Sequence, residues 1–155
     1  MSAARGRANH ALYLAQILLQ AWSEGIDRQE LPQRILADAY EPAVRMHLVD
    51  AYGWFLLAVS QTEPLPPAPP RKCADLPARP QGIAMPGEIS EFRQLETSGW
   101  LAELLQHREY SRPVVASRGS LATPAMELAG PEQLAAWRDN LAAIFERMSE
   151  SLDEY

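Results

Sequence analysis

Apolar residues recur along most of this chain at intervals of three and four, the spacing that lays side chains along one face of a helix. Ala8, Ala11, Leu12, Ala15, Leu18, Leu19 and Trp22 follow it first. They predict a helix over about residues 4–24, with Gly25 as its stop because glycine fills the left-handed closing position cheaply. Asp27-Arg28-Gln29-Glu30 then reads as a helix start, an acid followed three residues later by Glu, which together satisfy free amides. The second helix should run to about Tyr40 and bury Leu31, Ile35, Leu36 and Ala39. Pro42 suits the first turn of a third helix, about 42–61, where its missing N–H is no loss. Val44, Leu48, Ala51, Phe55 and Val59 line one face of that helix, and Met46, Val49, Gly53, Leu56 and Leu57 line most of another. A helix apolar on most sides belongs in the middle of a bundle.

The pattern breaks at residues 63–86, where 8 of the 13 prolines fall. Proline lacks the amide that helices and sheets need and favours an extended conformation, so this segment is expected to be an exposed, semi-rigid connector. Helical spacing resumes with Ile89, Phe92 and Leu95, pauses at Thr97-Ser98-Gly99, and continues through Leu101, Leu104 and Leu105 to about Glu109. Residues 110–130 look irregular, with one helical turn at Thr123-Pro124. A last helix starts at Gly130-Pro131 and runs to about Leu152. In it Leu134, Trp137, Leu141, Ile144, Phe145, Met148 and Leu152 form a bundle seam. Val114-Val115 is too short to make a strand. The expectation is all-α: one domain over residues 1–155, an irregular bundle of five or six helices whose halves, about 4–62 and 87–153, are joined by the proline-rich connector.

Charge narrows the function classes. The net charge is −6, and it lies almost wholly after residue 87. Nucleic-acid backbones demand a positive surface, so nucleic acid is excluded as a general partner. Arg45, His47 and Asp50 interrupt the most apolar helix, and its clean run, Tyr52 to Val59, is far short of the roughly 20 residues of a membrane span. Arg5 and Arg7, with no acid before Glu24, invite comparison with a targeting peptide. Gln16 and Gln20 break the run, however, and Ala21-Trp22-Ser23 is a poor cleavage site, so a cytoplasmic location is expected.

No catalytic, cofactor or metal constellation emerges. Arg7, Val44 and Leu104 stand three residues before His10, His47 and His107, so the Glu-x-x-His pairs of bundle metal sites are missing. Ser117-Arg118-Gly119-Ser120 is no nucleophile elbow, and phosphate-cradling glycine loops are absent. Cys73, the single cysteine, stands beside Arg71 and Lys72, which would lower its pKa. Its place in the connector reads instead as an incidental exposed thiol. Pro66-Pro67-Ala68-Pro69-Pro70-Arg71 matches a proline-recognition ligand, but the spacer reading is the simpler one.

Candidate partner contacts are Trp54, which shares a stripe with His47, Asp50 and Gln61, and Trp100 and His107, which with Glu103 are placed to line a shallow groove. Trp22 and Trp137 lie on the apolar faces of their helices and are assigned to the core. Arg7-Ala8-Asn9-His10-Ala11-Leu12-Tyr13-Leu14-Ala15 and Gly99-Trp100-Leu101-Ala102-Glu103-Leu104-Leu105 resemble an uncharacterised family of small all-helical proteins from pseudomonad-type bacteria, a domain of unknown function. That resemblance implies a bacterial, cytoplasmic, all-helical protein and carries over no functional residue. The reading is a non-enzymatic module that binds another protein or itself, with no cofactor. The alternative is a small-molecule-binding or catalytic bundle with a dispersed polar site at His47, Asp50, Glu103 and His107.

Overall fold

The computed structural model describes residues 2–106 and 128–154. Five α-helices and one short 3-10 turn make up the regular structure of those residues, with no strand among them. In chain order they are α1 (Ala3–Arg28), α2 (Gln33–Val59), the turn Cys73–Asp75, α3 (Gly87–Thr97), α4 (Trp100–Leu105) and α5 (Pro131–Asp153). The all-helical expectation holds.

The first two helices form an antiparallel hairpin. Ser2 caps α1 by accepting a hydrogen bond from the Arg5 amide, and Ala4, Ala8, Ala11 and Ala15 give it a small-residue face that lets α2 approach closely. Trp22 stacks on Tyr40 with ring centroids 6.1 Å apart, and the Arg7 guanidinium lies 4.6 Å above the Trp54 ring. These two pairs fix the hairpin register.

Four local expectations fail here for physical reasons. Gly25 does not end α1; the helix continues to Arg28 and closes on Gln29 in the left-handed region. A Cβ at position 25 would meet Leu36 Cδ2 at 3.2 Å, so this glycine serves close packing. Asp27-Arg28-Gln29-Glu30 is consequently the end of α1 and the link to α2, not a helix start. Pro42 sits inside one continuous α2, where a break was expected. Its fixed φ is helical, and the carbonyl it leaves unbonded belongs to exposed Asp38, where water can satisfy it. Packing along the whole length of α2 outweighs the lost bond. Finally, Leu31, Ile35 and Ala39, expected inside, are exposed, and only Leu36 of that set is buried.

The end helix α5 runs parallel to α2, with Trp137 beside Arg45 and Phe145 stacked on Phe55 at 4.0 Å. It runs antiparallel to α1, where Arg5 reaches Asp153 at 3.2 Å. Leu134, Trp137, Leu141, Phe145 and Met148 are buried, and Ile144 and Leu152 pack at the edge. Trp22 also sits in the core as expected. The buried cluster draws on all five helices and the 3-10 turn.

Residues 61–86 carry no α-helix, as their prolines predict, yet they do not hang free in solvent. Leu65 and Leu76 pack on the core and Cys73 is inside it. The closest approach is at Gly53 of α2. A Cβ there would overlap the Pro70 carbonyl oxygen at 2.0 Å and the Pro69 Cβ at 2.9 Å. The expected continuation of α4 to Glu109 stops at Leu105. His107, the Thr123-Pro124 turn and most of the segment read as irregular lie outside the described residues.

Candidate functional site

The buried end of one polar side chain organises the region where α2, α4 and α5 meet. Arg45 is only 5% exposed. Its Nε donates to Glu41 Oε1 at 2.8 Å, one helical turn away. Its Nη1 donates to the backbone carbonyls of Glu103 and Leu104 at 3.0 and 2.7 Å. A helix as short as α4 leaves its last carbonyls without internal partners, and Arg45 supplies them from across the bundle. Its guanidinium carbon also lies 5.1 Å from the Trp137 ring centre, while Nη2 is buried without a hydrogen bond.

Glu96 of α3 does the same for the connector. Its Oε1 accepts the Tyr52 hydroxyl at 2.5 Å and the Cys73 backbone N–H at 2.8 Å. The Cys73 sulfur lies 3.5 Å from the Tyr52 oxygen. Burial pushes the Tyr52 phenol far above its ordinary range, and the hydrogen bond to Glu96 adds to this. Burial likewise raises the Cys73 thiol to about 11, outweighing the lowering by the Tyr52 hydroxyl and by Arg93. The incidental exposed thiol expected in the connector is therefore replaced by a buried, protonated one, 2% exposed.

Beside Glu96 an open groove of about 790 Å³ is lined by Arg71, Lys72, Asp75, Glu103 and Gln106, with Gly99, Ala102 and Leu105 as its apolar part. Its charges are mixed. Nearby, burial raises the Asp50 carboxyl, opposed by the His47 and Arg71 charges. His47 and Asp50 are thus neighbours, both half-buried on α2, and Glu103 lines the groove. Among the described residues, no group of three or more His, Cys, Asp or Glu is placed to hold a metal ion.

Of the candidate partner contacts, Trp54 is half-buried beneath Arg7. Trp100 is half-buried at the start of α4, after Gly99 with φ 94°. The two share no ring contact, and His107 lies outside the described residues. The sequence reading missed Arg45 and Glu96. Arg45 had a legible signal, an acid one turn earlier on an otherwise apolar helix. Glu96 had none, because its partners are 23 and 44 residues away.

The outer side of the hairpin shows a different chemistry. Tyr13 (62% exposed) and Ile17 (47%) point away from the core on α1, and Met46 (53%) is exposed on α2. The hairpin register places Met46 at the level of Ala15. Leu31 and Ile35 are exposed at the hairpin tip. No helix among the described residues is long and apolar enough to cross a membrane.

The whole chain, residues 1–155, matches the profile of a family of unknown function (DUF6586). No curated protein and no solved structure matches it.

Proposed function

Since the chain belongs to that family, whose function is unknown, we propose from its surface and interior that it is a non-enzymatic helical module that binds another protein or a second copy of itself. The observation that carries this reading is the division of labour between inside and outside. Arg45 and Tyr52, both buried, are committed to backbone carbonyls and to the half-buried Glu96, which also accepts the Cys73 amide. The hairpin meanwhile exposes Tyr13 and Ile17 on α1 and Met46 on α2, and aromatic residues and methionine are enriched in interface cores. Trp54 and Trp100, both half-buried, and His107, one turn after Glu103 in the sequence, are kept as further candidate contacts. In this reading the protein works in the bacterial cytoplasm, which the sequence resemblance implies and a single protonated thiol suits.

Affinity capture from the native cell, with the wild-type chain and an Ile17→Asp variant as paired baits, tests it. A stoichiometric protein retained by the first and lost by the second supports the module. A co-purifying metabolite or metal supports instead a dispersed polar site, for which the adjacency of His47, Asp50 and Arg71 is the favouring feature. Loss of that small molecule in Asp50→Asn and His47→Ala would then carry the alternative.

A further inference from the structure

Between Ser60 and Arg79 the chain leaves the end of α2 and returns to it. The Arg79 guanidinium donates through Nη2 to the Ser60 carbonyl at 2.7 Å and through Nη1 to the Ala84 carbonyl, so the two ends of the excursion are stapled at its base. Gln61 and Thr62 complete that base by donating their amides to the Ala58 and Leu57 carbonyls of α2. Beyond the base the hold is sparse. Among the described residues, Cys73 has the one amide between residues 63 and 78 that bonds to a group on the helices, and the prolines have none to offer. Cys73 is also the one buried residue of that stretch, with Leu65 and Leu76 half-buried against the core. Segments with so few buried contacts and backbone bonds open well below the free energy of global unfolding.

We propose that residues 63–78 are a flap that swings off α2 as a unit about the Ser60–Arg79 base while the five helices stay folded, with Cys73 as the pin that holds it shut. Closed, the flap supplies Arg71, Lys72 and Asp75 to the groove beside Glu96. Open, it withdraws them and uncovers both the Cys73 thiol and the α2 surface at Gly53, where Pro69 and Pro70 rest. It is thereby a gate on that groove, independent of what the hairpin face binds. The seat under the flap tolerates its departure. Tyr52 and Glu96 stand on α2 and α3 and stay bonded to each other when the Cys73 amide leaves, so opening strands neither. At Gly53 the flap rests backbone against backbone, with no side chain interlocked from the helix side.

Cys73 reports the motion, because its thiol meets solvent only when the flap is open. The full chain is labelled with methyl methanethiosulfonate at levels where the rate is proportional to reagent. Labelling should rise with urea less than about one third as steeply as the unfolding equilibrium followed by circular dichroism, since that slope scales with the surface exposed. Leu141→Ala weakens the bundle through α5 and should leave the rate within about twofold, as for independent sites. Were global unfolding the route, the same change would speed labelling ~30-fold or more. Gly53→Ala should speed it at least about tenfold, the order of an overpacked contact, without lowering helix content, because alanine favours the helix and the added methyl meets Pro69 and Pro70. Arg79→Ala should change the rate less than about threefold, because the base bond is kept in both states and freeing it lengthens the loop only as far as α3. A urea slope equal to the global one overturns the proposal, as does ~30-fold acceleration by Leu141→Ala or an unchanged rate in Gly53→Ala. Acceleration by Arg79→Ala as large as that by Gly53→Ala overturns the closed base.

Discussion

Arg45 joins three helices through one guanidinium, with Glu41 on its own helix, two carbonyls at the end of α4, and the Trp137 ring on α5. Breaking a buried, hydrogen-bonded charge pair from one side costs about 3–5 kcal/mol. Arg45→Met, which also strips the α4 carbonyls of their donor, should therefore destabilise the fold by that order in urea unfolding. Cys73 gives a second residue-level expectation. Its folded pKa is raised, so the neutral thiol stabilises the fold fully below the unfolded value near 9. That contribution is lost as pH rises from about 9 toward about 11. Alkylation at pH 8 should be slow in the native chain and fast after unfolding, and a native rate equal to that of a free thiol would contradict the burial of Cys73.

Among the elements, α5 is the one most fully legible from sequence. Its seam alternates three and four with few exceptions, and five of its seven residues are buried, with Ile144 and Leu152 at the edge. Leu141→Ala should cost about 2–5 kcal/mol and lower the melting temperature without changing mass by light scattering, because this seam is filled within the chain. The α2 helix was legible in character but not in extent. Pro42 carries a strong local signal to begin a helix, and only contacts made along the whole of α2 outweigh it. Leu31 and Ile35 misled for the complementary reason, since helical spacing marks a shared face without saying whether anything covers it. Of the candidate site, Trp54 and Trp100 were singled out because tryptophan at a helix edge is conspicuous. Arg45 and Glu96 were not, because their partners lie on elements whose placement sequence periodicity does not specify.

At the scale of the molecule, the proline-rich segment is a packed strap held at two points. Pro69 and Pro70 press on Gly53, and the Cys73 amide is tied to Glu96. Gly53→Ala would drive a methyl group into the Pro70 carbonyl, lifting the strap from α2. Trypsin, which attacks Arg71 and Lys72, both exposed, should cut the Gly53→Ala chain several-fold faster than the wild type at equal protease. Equal rates would mean that the strap is not held by this contact. The groove lined by Arg71, Lys72 and Asp75 shares those anchors, so its shape depends on the same glycine.

The parallel course of α2 and α5 has a consequence for the order of folding. The hairpin closes through partners near in sequence, across a link of four residues, whereas Phe55 and Arg45 wait for Phe145 and Trp137, about ninety residues further on. Loop-closure entropy penalises the distant contacts in the transition state more than the local ones. During synthesis, α2 therefore emerges with one apolar side uncovered until nearly the whole chain has been made. The kinetic signature should be uneven. Leu141→Ala should chiefly accelerate unfolding, while a hairpin change such as Leu36→Ala should chiefly slow folding, a contrast that stopped-flow measurements of both limbs would register.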